Sequence, residues 1–119
     1  MKYPNMRAEL VEYLQFLSED PVSREKTEMD DCYFDYAIHF LFDDTLIARD
    51  SQECVGIFLI NKYEANTIFA VAEKLDEIFN KYGTRLHLYD YYGFPEWVEV
   101  IEKCKSALSL LAMDGDGLD

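Results

Sequence analysis

Residues Glu28 to Thr45 read EMDDCYFDYAIHFLFDDT, and the period assigned to this run decides between a helical and a mixed fold. Glu28, Asp30, Asp31, Asp35, Asp43 and Asp44 are interleaved there with the rings of Tyr33, Phe34, Tyr36, Phe40 and Phe42. As a helix opening after Asp30 or Asp31, the run stacks Phe34, Ile38 and Leu41 on one face, with Tyr33, Ala37 and Phe40 beside them. As a strand, Cys32, Phe34, Tyr36, Ile38, Phe40 and Phe42 alternate with Asp35, His39 and Asp43. Both periods fit. Helix is preferred because the run is long and because acids at its start complement the positive end of the helix dipole.

On the N-terminal side, Met6, Leu10, Tyr13, Leu14 and Leu17 recur at helical spacing after Pro4-Asn5. That helix stops before Asp20-Pro21, since a proline biases its predecessor away from the helical region. On the C-terminal side, Val55 to Ile60 reads as a buried connector or a short strand. Asn61 and Glu64 then form an N-x-x-E capping box, with Ile60 and Ala65 placed as its hydrophobic staple. Ala65, Ile68, Phe69, Ala72, Leu75, Phe79 and Tyr82 continue the helical stripe, and Gly83 closes it in a left-handed conformation. A last helix opens at Phe94-Pro95 and repeats Trp97, Ile101, Cys104, Leu108 and Leu111. The expected fold is all-α: a compact single-domain bundle of about four helices over residues 1–112, with a strand-like segment near residues 55–60 as a variant. The acidic tail 113–119 is expected to be disordered.

A chain of 119 residues, 50% apolar with eight Phe and nine Tyr, can bury a core without cross-links. Cys32, Cys54 and Cys104 are odd in number and widely spaced, which argues against a disulfide framework. Free thiols, no secretory leader and no long apolar run make the cytoplasm the expected location. The net charge is −13. Residues 19–53 carry eleven acids against Arg24, Lys26 and Arg49, a net of −8, so the charge is concentrated around the opening stretch. Such a surface repels nucleic-acid phosphates and anionic lipid. It attracts basic protein and speeds the encounter, although acidity also serves plain solubility.

The motifs of catalysis are thin. His39 lies among apolar residues, and a core or half-buried imidazole explains it better than a general base. Cys32, His39, Asp43 and Asp44 lack C-x-x-C or H-x-x-x-H spacing, so no metal or cofactor is expected. The carboxylate pairs Asp30-Asp31 and Asp43-Asp44 suit solvated helix ends better than acid–base work across a cleft. Asp114-Gly-Asp-Gly lacks the further ligands of a calcium loop, and no glycine-rich phosphate cradle occurs. A second aromatic cluster, LHLYDYYGFPEWVEV (residues 86–100), sets Tyr89, Tyr91, Tyr92, Phe94 and Trp97 beside Asp90 and Glu96. Trp97 belongs to the core. The tyrosines either fill the end of the bundle or form an interface, where exposed Tyr is common.

Leu17-Ser-x-Asp-Pro21, Asp43-Asp-Thr45, Val55-Gly56, Tyr82-Gly-Thr84 and Pro95-x-Trp97 with Ala107 resemble a family of small uncharacterised bacterial proteins. That resemblance implies one helical domain and no activity. In size, acidity and lack of a catalytic motif the chain is also similar to bacterial toxin-immunity proteins. The function expected is therefore an acidic protein-binding module, not an enzyme: an immunity protein covering the active site of a basic, nuclease-type toxin domain. Glu28, Asp30, Asp31, Tyr33, Asp35, Tyr36, Asp43, Asp44, Asp90, Tyr91 and Tyr92 are its candidate partner-binding residues. The alternatives are a bacterial helical domain with a housekeeping role and, after it, a small enzyme.

Overall fold

The computed structural model describes residues 2–115. Among them six α-helices and no strand occur, so the all-α class holds and the expected number of helices is too small. The helices are α1 (Pro4–Leu17), α2 (Asp30–His39), α3 (Ile47–Asp50), α4 (Lys62–Tyr82), α5 (Leu88–Tyr92) and α6 (Trp97–Gly115). The extra pair, α3 and α5, are of one turn or little more, too short for an apolar period to reveal.

The ambiguous run is a helix. Phe34 and Ala37 of α2 are buried, and Asp30 and Asp31 occupy its first turn. Beyond His39 the chain widens into a π-helical turn, Phe40–Asp44, and the Thr45 hydroxyl closes it by donating to the Phe40 carbonyl at 2.7 Å. The wider turn takes up one more residue per hydrogen bond than an α-helical turn.

The strand variant for residues 55–60 fails for a local reason. The amides of Ile57, Phe58 and Leu59 all lie 3.1–3.2 Å from the Cys54 carbonyl, which folds the segment onto itself. Only an isolated bridge between Val55 and Leu59 results. Gly56 makes the reversal at φ 87° and donates to the Leu59 carbonyl at 2.8 Å. The N-terminal arm lies alongside, with the Tyr3 amide donating to the Ile57 carbonyl at 2.7 Å.

Helix α4 is the centre of the bundle, and α6 packs on both α4 and α1. Its start follows the capping box with one change. The Asn61 side chain accepts from the Glu64 amide at 3.0 Å, but the Glu64 carboxylate reaches back to the Ile60 amide, at 2.8 Å. The reason is Arg7, whose guanidinium grips both Glu64 oxygens at 2.8 Å. Arg7 also donates to the carbonyls of Phe58 (3.2 Å) and Leu111 (3.1 Å), so one buried cation ties α1, the 55–60 turn, α4 and α6 together. Gly83 ends α4 at φ 93° and ψ 169°. Its φ is positive as expected, but the residue is extended and not left-handed helical. Helix α6 begins at Trp97, with Pro95 in the turn before it, and runs through Asp114 to Gly115. It therefore enters the expected tail; residues 116–119 of that tail lie outside the described residues. Among the described residues no helix is long and apolar enough to cross a membrane.

Candidate interaction groove

Folding sorts the candidate residues by what they are already bonded to. Asp30 is 3% exposed and spent internally. It accepts from both terminal nitrogens of Arg24 (2.8 and 3.1 Å), from the Thr27 amide and hydroxyl (2.9 Å each), and from the Tyr89 hydroxyl. The Arg24 guanidinium, with these donors, holds the Asp30 carboxyl far below the usual carboxylate range despite burial. Asp30 is thus the anchor of the loop between α1 and α2. Tyr91 is fully buried and donates to the Gly83 carbonyl at 2.6 Å.

Asp31, half-buried, accepts from the Leu88 amide (2.9 Å) and pairs with His87 Nδ1 (2.7 Å). It joins α2 to the start of α5, and the same bond with Asp31 raises the His87 pKa. Asp90, though exposed, accepts from the His87 amide at 3.1 Å. Tyr33 lies half-buried edge-on to Phe16, ring centroids 4.7 Å apart, and Tyr92 is packed on Trp97 at 5.5 Å. Glu28, Asp35, Tyr36, Asp43 and Asp44 remain on the exposed surface. Among the described residues Asp35 and Asp44 have neither an ion pair nor a hydrogen bond, while Asp43 lies 2.6 Å from His39 Nδ1.

Two of these acids edge a groove of about 300 Å³ between α2 with its π-helical turn and the C-terminal half of α4. Its floor is apolar: Phe34, Ile38, Phe42, Phe79 and Leu86. Phe79 sits 6.1 Å from Phe42 and 6.5 Å from Phe34, ring centre to ring centre, so the floor is an extension of the aromatic core. Its rim carries Asp35 and Asp43 from α2 and its turn, Asp76 from α4, and the neutral Asn80 and Thr84. No Lys or Arg lines it. A larger, more open hollow of about 380 Å³ lies beside Arg24, but Asp30 and Glu19 already neutralise that cation.

Asp76 and Phe79 escaped the sequence reading. Phe79 is placed there only in the helical stripe, and Asp76 is not singled out. Asp76 precedes Phe79 by three positions, so both face the same side of α4; this was the available signal. Cys32, His39, Asp43 and Asp44 do not converge: no group of three or more metal-ligating side chains comes together among the described residues. The three thiols are free, and burial pushes that of Cys104 up to about 12.

No curated protein and no solved structure matches the chain. Over residues 1–118 it matches the family described as a domain of unknown function, DUF7945, and it belongs to that family.

Proposed function

We propose that this chain is an acidic protein-binding module of the immunity type, which neutralises a basic, nuclease-type toxin domain by covering its active site. The observation that carries the reading is the α2–α4 groove: an aromatic floor open to solvent and a rim whose only charged groups are carboxylates. Apolar floor supplies area once water leaves, and a rim of one sign selects partners of the other. A nuclease surface must be basic to hold phosphates, so it is the complement in charge. Exposed Tyr36, on the same helix but two positions from Phe34 and Ile38 and so on another face of it, offers a separate ring to a partner. On this reading the chain binds protein, without nucleic acid or membrane as a partner, and performs no catalysis itself.

The test uses the tagged full chain as bait in its native cell, followed by assay of the captured protein. A basic nuclease inhibited at one-to-one stoichiometry is the expected result. Asp35→Lys and Asp43→Lys should slow association in low salt, and Tyr36→Ala should speed dissociation at a cost of about 2 kcal/mol. Unchanged rates for all three variants, or a captured partner without a basic face, would overturn the proposal in favour of a housekeeping role.

A further inference from the structure

We infer that the α2–α4 groove is an arginine socket, seating one arginine side chain of the partner as the anchor of the interface; this rests on the protein-binding reading above. The first argument is size. At about 300 Å³ the groove is at the lower end of small-ligand sites, enough for one or two side chains and too narrow for a helix.

The second argument is chemistry. The ring systems of Phe42 and Phe79 form the floor, and a planar, weakly hydrated guanidinium stacks on such rings where an ammonium keeps its water. The carboxylates come from two elements, Asp35 and Asp43 from α2 and its turn and Asp76 from α4. A guanidinium offers such a set five N–H donors in a fixed fork, whereas an ammonium is a point charge.

The third argument is vacancy of charge. Arg85 and Arg49 lie in adjoining hollows, the first shared with Asp35 and the second with Asp76. Neither forms an ion pair among the described residues. They bound the acidic region at its two ends; between them Asp43 has His39 Nδ1 at 2.6 Å, while Asp35 and Asp76 have no ion pair among the described residues and are left to an incoming cation.

The probe is the capped tripeptide acetyl-Gly-Arg-Gly-amide, titrated into the isotope-labelled full chain by NMR, with lysine and citrulline counterparts. Signals of Ile38, Leu86 and the Phe42 and Phe79 rings are expected to shift saturably with arginine. Lysine should act several-fold more weakly and the isosteric but neutral citrulline not at all. Asp76→Asn and, separately, Asp43→Asn should each remove most of the arginine response at an unchanged melting temperature. Equal responses to arginine and lysine would sink the socket, reducing the groove to a patch of charge. So would arginine shifts confined to Asp44 and the outer face of α2, but that result leaves the protein-binding reading standing. No shift anywhere, together with unaltered capture of the native partner by the charge variants, would end both.

Discussion

Burial divides the carboxylates around α2 into two kinds, and their variants should behave in opposite ways. Asp30 holds Arg24 inside the protein, so Asp30→Asn leaves a half-buried cation short of its partner. We expect a loss of about 3–5 kcal/mol by urea denaturation, the usual consequence of breaking a buried pair from one side. The same residue sets an acid limit. Its pKa is depressed on folding, so its contribution is fully present above the unfolded value of about 4 and is lost as pH falls below it. The Asn variant should therefore show a shallower loss of stability between pH 5 and the acid limit than the parent. His87 works in the other direction: its pKa is raised by Asp31, so its contribution is present below about 6.5 and fades as pH rises through the folded value. Gly83 is a residue-scale case of a different sort. With φ 93° and ψ 169° it sits where side chains other than glycine's are strained, although an added Cβ would meet no atom within 4 Å. Gly83→Ala should thus cost about 1–3 kcal/mol through the backbone alone, measurable as a lower Tm without any change in helix content.

Between elements, the tie that matters most is ionic. Burial pushes the Glu64 carboxyl up, and the bonds from Arg7, Asp114 and the Ile60 amide more than offset it, so the group stays ionised inside the protein. The bond shared with Glu64 raises the Asp114 pKa in return. Arg7→Met strips the counter-ion from a fully buried carboxylate and should cost about 3–5 kcal/mol. Arg7→Met combined with Glu64→Leu removes both charges and should recover most of that loss. A double-mutant cycle by chemical denaturation reads the difference. If the double variant is as unstable as the single, the carbonyl bonds of Arg7 hold the elements together and the ion pair does not. The capping box at Asn61 and Glu64 was legible from spacing, because both partners are local. Arg7 lies 57 residues from Glu64, and nothing in the polar side of an amphipathic helix marks which arginine will be buried.

For the whole molecule, the net charge of −13 is the dominant long-range term. Like charges on one surface oppose compaction, and salt relieves them. Raising NaCl from about 0.01 to 0.15 M should lift the Tm by about 2–4 °C, the equivalent of roughly 0.5 kcal/mol in a domain of this size. Asp44→Lys, on an exposed and unpaired acid, should raise the low-salt Tm and flatten that dependence. A Tm that falls with salt would mean that ion pairs such as Arg24–Asp30 outweigh the repulsion. By itself the sequence determined the helical class, the long helices α1, α4 and α6 and the acidic bias, because each follows from a local period or a sum of charges. Its one real ambivalence, residues 31–44, arose since an apolar run with rings at both spacings fits either period, and only packing on the core selects one. Tertiary structure alone decided which acids face water. Asp30 and Asp35 are five residues apart in similar company, yet one is enclosed by Arg24, Thr27 and Tyr89 and the other is free. It also brought Asp76 and Phe79 across from α4 to complete the groove, a contact between distant segments that no window along the chain contains.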